Sequence, residues 1–229
     1  MSFLISREGM IPLNRIIIIL SALSFFLIQG CGLNDYPYIY APEVSALTGS
    51  PGIIKIYNRS DNDPDVFQGY ELYYKFYIKA NFNVDNTNDY KNLFSVEEPE
   101  PSDLANLGFK RINTVQNTDS KTPYPMIPID NADRDESFEI TIFFDRIAFN
   151  DVIPYVDYEN TGLYRVVADP ANTDYYKSFI YDDMSESDTD VPAADVTLSL
   201  YVFSYGKYDR VYNIYSKPVW LGYIDYGTF

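Results

Sequence analysis

The run over residues 69–80, GYELYYKFYIKA, constrains the fold more than any other segment of the chain. Tyr70, Leu72, Tyr74, Phe76 and Ile78 take one set of alternate positions, and Glu71, Tyr73, Lys75, Tyr77 and Lys79 take the other. Successive side chains of a strand point to opposite faces, so this period of two predicts a half-buried antiparallel strand. On this reading Tyr70, Leu72, Tyr74, Phe76 and Ile78 face a core, while Glu71, Lys75 and Lys79 face outward. An apolar face of this kind has to be covered by a second layer.

Other segments supply further strands: 53–57, 109–115, 138–144, 163–168 with 176–181, 196–205 and 217–226. A short helix is expected over 102–107, with Ser102 as N-cap and Gly108 just past its end. The proline-rich stretch TPYPMIPID (122–130) lacks the donors of an interior strand, so it reads as an extended surface connection. With 23 Tyr and 15 Phe, and no solenoid or propeller repeat, the composition favours many short strands over helices. The expected class is mostly β, an antiparallel sandwich.

Gly69-Tyr70-Glu71-Leu72-Tyr73-Tyr74-Lys75 resembles the third strand of a fibronectin type III domain, a member of the wider immunoglobulin-like class. Leu200, Val202 and Ser204 resemble that family's penultimate strand, and Ser216-Lys217-Pro218-Val219 the entry to its last one. Pro42, Val44, Ile54 and Ile56 would supply the first two strands. Asn58 stands near the position of the family's buried Trp, and Leu198 at that of its corner Tyr. The resemblance implies a sandwich over 44–229 with a large insertion at about 81–195.

The amino-terminal end places the protein. Arg7 and Arg15 precede an apolar stretch over 16–28, and Gly30 precedes Cys31, the chain's only cysteine. That order fits a secretory signal with an acylation site, and the stretch is short for a transmembrane helix. Ile28-Gln29-Gly30-Cys31 resembles a bacterial lipobox, in the relaxed form found in spirochaetal lipoproteins. It implies cleavage before Cys31, a covalent lipid of the palmitate type on Cys31, and a cell-envelope membrane as the location, inner or outer. Residues 1–30 are then signal peptide, and 31–43 a polar, proline-containing tether. Met10 as the start would leave a signal of ordinary length.

Absences narrow the chemistry. The chain has no histidine, which excludes Ser-His-Asp and Cys-His catalysis, His-rich zinc sites and a histidine pH switch. With Cys31 acylated, no thiolate and no disulfide remain. The net charge is −16, which argues against a nucleic-acid partner. Asp outnumbers Glu 23 to 10, so the charge sits largely in turns. Asp61, Asp63 and Asp65 could meet a Ca²⁺ ion, as could Asp130, Asp133 and Asp135, or Asp188 with Asp190; the competing reading of each is a solvated turn. No cofactor beyond the lipid is expected.

Tyrosines give the functional lead. Tyr73 and Tyr77 share the outer face of the alternating strand, and Tyr205, Tyr208, Tyr212 and Tyr215 cluster in or beside the loop GKYDRVYNIYS. Rigid amphipathic rings suit a contact surface for a protein or a glycan. The expected role is that of a non-enzymatic binding or adhesion module held at the membrane by its lipid. The alternatives are a structural or assembly subunit of an envelope complex, and a carbohydrate-active enzyme using carboxylates.

Overall fold

In the computed structural model the alternating run forms β3 (Phe67–Ile78), and its main partner is β11 (Val196–Tyr208). The structure describes residues 37–45, 52–82, 93, 96, 98–113, 125–144, 154–158, 161–164, 167–168, 175–176, 179 and 195–227. The chain divides into units Met1–Tyr36 and Pro37–Phe229, and only the second holds described residues.

β3 and β11 run antiparallel, with Tyr70 opposite Ser204 and Ile78 opposite Val196. On the other side of β11, its first half pairs with β13 (Val219–Gly227) and its end with β12 (Tyr212–Tyr215). β4 (Lys110–Arg111) and β5 (Ile127–Pro128) pair with the far side of β3. A second antiparallel sheet runs in the order β1 (Glu43–Ser45), β2 (Ile53–Tyr57), β6 (Glu139–Phe143), β7 (Tyr155–Tyr158), β8 (Thr161–Tyr164). β9 (Val167–Ala168) and β10 (Tyr175–Tyr176) form a separate pair. The protein is mostly β.

Both large sheets feed one apolar cluster. Ile54, Ile56, Ile140, Ile142 and Val156 come from one sheet; Tyr70, Leu72, Tyr74, Phe76, Leu198, Leu200 and Val202 come from the other. Each fully buried aliphatic or aromatic side chain stabilises the fold by about 1.5–3 kcal/mol. The expected core face of β3 is therefore present from Tyr70 to Phe76, with Ile78 half-buried at its end.

The outer face of β3 differs from expectation. Glu71 and Tyr73 are both buried, and helix α1 (Pro101–Asn106) and its flanks pack over Tyr73. Leu93, Leu104 and Phe109 make a second apolar cluster with Tyr73, Tyr201 and Phe203. Lys75 is half-buried and donates from Nζ to the Leu107 carbonyl at 2.7 Å, so it holds the end of α1. Lys79 is outward as expected, paired with Asp225 at 2.9 Å.

The helix itself starts one residue earlier than predicted. Glu100, not Ser102, is the N-cap, in a reciprocal capping box with Asp103, and Pro101 takes the first helical position, where its missing N–H costs nothing. Residues 122–130 do not run over the surface where they are described. Met126, Ile127 and Ile129 are buried, and Ile127–Pro128 reaches β3 through a contact short enough to tolerate the proline. Gly69, opposite Pro128, has φ +146°, and a Cβ there would collide with the Ile127 carbonyl. Residues 37–42, read as tether, belong to the folded unit: Ile39 is buried, and the Tyr40 amide donates to Asn62 Oδ1 at 2.7 Å. Within 81–195, the described β4 and β5 pair with β3, and β6 pairs with β2.

Candidate functional site

Three groups of side chains bear on function: the tip of the β11–β12 hairpin, a buried carboxyl on β3, and the acidic turns. β11 continues through Tyr208, so most of the segment expected as loop is strand, with Lys207 opposite Asn213 and Tyr208 opposite Tyr212. Asp209 and Arg210 close the turn with φ 51° and 59°, and the Val211 amide donates to the Tyr208 carbonyl at 3.1 Å. Three residues separate the paired Tyr208 and Tyr212, and the first two take a left-handed φ that non-glycine residues rarely adopt. Gly and Asn are usual there, so Asp209-Arg210 holds the turn under local strain.

This turn sorts the four loop tyrosines by the strand period. Tyr212 is 64% exposed, Val211 71% and Tyr208 36%. Tyr205 is fully buried, with its hydroxyl donating to Asn213 Oδ1 at 3.1 Å. Tyr215 is half-buried, its ring 5.4 Å from Tyr205 and 5.9 Å from Phe203. Tyr205 and Tyr215 are thus packing residues rather than part of the expected patch. Burial raises the pKa of both hydroxyls, and the nearby Glu71 charge raises them further. Tyr73 is buried likewise, against Phe203, and Tyr77 is half-buried against Phe82 with the Lys75 ammonium 4.9 Å from its ring centre. Of the six tyrosines singled out by sequence, only Tyr208 and Tyr212 are exposed.

A neighbouring aromatic pair has no counterpart in the sequence reading. Tyr38 (58% exposed) and Tyr40 (39%) meet edge to face at 5.0 Å. They flank Ile39, which packs against Gly206, and the Ser204 hydroxyl donates to the Tyr40 carbonyl at 2.7 Å. The pair therefore lies alongside the end of β11 that leads into the tip. Alternation in Tyr38-Ile39-Tyr40 was the available signal.

Glu71 is the second finding the sequence did not give. It is fully buried, accepting from the Tyr73 hydroxyl at 2.7 Å and from Arg111 Nη1 at 3.2 Å. Arg111 also donates through Nε to Asn113 Oδ1 at 3.2 Å. Burial raises the Glu71 pKa, opposed by the Tyr73 hydrogen bond and the Arg111 charge. Tyr73 is pushed up as well, first by burial and then by Glu71. With Arg111 opposite Tyr73 in register, the group ties β4 to β3 under the second apolar cluster. It has the character of a buried structural network.

The acidic loop is used for turns. Asp61 accepts two bonds from Arg59, at 2.8 and 2.6 Å, which lowers its pKa. Asp63 Oδ1 accepts the Asp65 amide at 3.0 Å, an Asx turn. Asp130 and Asp133 form another turn, with the Asp133 amide donating to the Asp130 carbonyl at 2.9 Å. Among the described residues no group of three His, Cys, Asp or Glu is placed to hold a metal ion. Asp188, Asp190 and Cys31 lie outside the described residues. No protein-family model matches the chain, and no curated protein or solved structure matches it.

Proposed function

We propose that this protein is a cell-envelope lipoprotein, anchored through Cys31, whose folded body is a non-enzymatic binding module with the β11–β12 tip as its contact surface. The observation that carries the reading is the exposed set Tyr208, Val211 and Tyr212 on a turn held by two positive-φ residues. Tyrosine rings give large contact area at little side-chain entropy cost, which suits a recognition surface. The lipobox-like Ile28-Gln29-Gly30-Cys31 supplies the anchor.

The body is an immunoglobulin-like sandwich of fibronectin type III kind. Its support is the strand order: β1-β2-β6 in one sheet and β3-β11-β13 in the other match the A-B-E and C-F-G neighbours of that architecture. Asn58, standing near the family's Trp position, is buried and accepts from the Tyr70 hydroxyl at 2.6 Å, so a polar pair replaces the indole there.

Two measurements test the proposal together. Cell fractionation should find the protein with membranes and Cys31→Ser in the soluble fraction, with mass spectrometry showing acylated Cys31. A photo-crosslinking residue at position 212 should give an adduct in intact cells. A soluble wild-type protein with a bare thiol, or no adduct from position 212, refutes the anchor or the contact role respectively.

A further inference from the structure

We propose that the β11–β12 tip and the two acidic loops beside it, 61–65 and 130–136, dock a basic polypeptide segment of a partner protein. The inference rests on the reading of the tip as a contact surface and names the chemistry of what that surface receives. Placement, charge and a guanidinium already held at this end of the fold carry it.

Hydrogen bonds bring the segments together. The Lys207 amide donates to the Val66 carbonyl at 2.9 Å, so the loop 61–65 runs into β3 directly beside the start of the tip. Arg134 donates from Nη1 to the Pro64 carbonyl at 3.1 Å, and Asn58 from Nδ2 to the Glu136 carbonyl at 2.6 Å, which ties 130–136 to that loop. The Tyr40 amide bonds to Asn62 Oδ1 at 2.7 Å while Ile39 packs on Gly206, so Tyr38 and Tyr40 adjoin both the loop and β11. The charge of this end is strongly negative. Residues 58–66 carry a net −2, 130–136 a net −3 and 206–213 a net +1, so 24 of the 229 residues hold −4 of the net −16. Asp63, Asp65, Asp130, Asp135 and Glu136 are exposed and in no ion pair among the described residues, so their field reaches the solvent around the tip. Such a surface draws cations and repels a second copy of this acidic chain.

One example of the recognition is already in place. The Arg59 guanidinium lies 4.8 Å from the Tyr40 ring centre and donates two bonds to Asp61, at 2.8 and 2.6 Å, with Glu43 at 3.9 Å. A tyrosine face beside carboxylates holds a cation by cation–π attraction and charge-assisted hydrogen bonds together. Tyr38, Tyr208 and Tyr212 are exposed at the same end as the five carboxylates, the same two ingredients presented to a cation from outside. Lys207 and Arg210 flank Asp209 at the turn, so the partner's cations meet the flanking loops and its aliphatic stems meet Val211 and Tyr212. Lys and Arg side chains spaced along one backbone meet several carboxylates at once, which a single small cation cannot do.

The test uses the full chain in neutral detergent and a labelled peptide of repeated Lys-Leu-Arg-Gly units, read by fluorescence anisotropy, with repeated Glu-Leu-Glu-Gly as its acidic counterpart. The basic peptide should bind and the acidic one should not. Affinity should fall about tenfold for Asp65→Asn with Asp130→Asn, and about as much for Val211→Ala with Tyr212→Ala. Asp195→Asn with Asp225→Asn removes the same charge from the opposite end of β11, where Asp225 faces Thr197, and should change affinity less than about twofold. All six positions are exposed, so the fold tolerates each pair of changes. Equal losses from the two ends, equal binding of the two peptides, or no binding overturns the inference. The photo-crosslinking residue at position 212 in intact cells separates it from the reading it rests on. An adduct mapped by mass spectrometry to a net-basic protein segment supports both. An adduct on an acidic or uncharged segment, a glycan or a lipid upholds the contact surface and overturns the basic partner. Absence of any adduct refutes the contact surface, and the inference with it.

Discussion

Arg111→Met should destabilise the protein by about 2–3 kcal/mol at neutral pH, through Glu71 rather than through lost packing. Removing one partner of a buried ion pair costs roughly 3–5 kcal/mol, because the remaining charge is left without compensation. The Arg111 side chain keeps 20% of its surface in water, so solvent already weakens the pair and the cost falls to the bottom of that scale or just below it. Tyr73 still donates to Glu71 after the change. Met keeps an apolar stem of similar length, so the main losses are the compensation of Glu71 and the bond from Nε to Asn113. Glu71→Gln in the Arg111→Met background should restore most of the loss, since a neutral amide needs no counter-ion.

The sign of the pH dependence follows from the same burial. Glu71 is raised above its ordinary value, so the folded protein binds this proton more tightly than the unfolded chain does. Its contribution to stability is therefore best below the unfolded value of about 4.3 and is lost as pH rises through the folded pKa. Arg111→Met removes a lowering influence and should deepen that loss, so the variant should approach wild type in acid and diverge from it at neutral pH. Urea titrations followed by Trp220 emission, run across that range for the two single variants and the double, give the four corners of the cycle. A cost below about 0.5 kcal/mol at neutral pH, or no rescue by Glu71→Gln, would show that Glu71 is not the seat of the effect.

Leu72→Asp places a charge in the shared core of the two sheets and should cost more than about 4 kcal/mol, read as loss of the cooperative urea transition. Lys75→Ala should cost about 1 kcal/mol in chemical denaturation, because the Leu107 carbonyl loses its donor; a neutral result would contradict the capping role. Arg210→Gly relieves a left-handed backbone and should raise the melting temperature by the equivalent of about 0.5–1 kcal/mol. Gly206→Ala should destabilise, since a Cβ there meets both Ile39 and the Val66 carbonyl, and calorimetry should show a lowered melting temperature with broadened unfolding.

The sequence by itself determined the principal strands and which residues of β3 share a face. The period of two over 69–80 assigns Tyr70, Leu72, Tyr74 and Phe76 to a common side whatever surrounds them, because alternation is a property of the backbone. It likewise placed strands at 53–57, in 138–144 and near the carboxyl end, where β2, β6, β11 and β13 lie. Periodicity says which residues share a face and says nothing of what comes to cover it. Tyr73 reads as outward because Leu93, Leu104 and Phe109, which pack with it, lie twenty or more residues downstream, and Glu71 because its partner Arg111 lies forty residues on. The same holds for Ile127 and Pro128, whose prolines argued for the surface until a two-residue pairing with β3 gave them a place inside.

The functional residues divide along that line. Tyrosine content pointed to the β11–β12 region, but Asp209-Arg210 carries no Asn-Gly signal, so the hairpin and its register were set by pairing along β11. That register decided that Tyr208 and Tyr212 project while Tyr205 and Tyr215 pack. It was a long-range choice, fixed by β3 on one side of β11 and β12 on the other, and a one-residue slip would have exchanged the two sets.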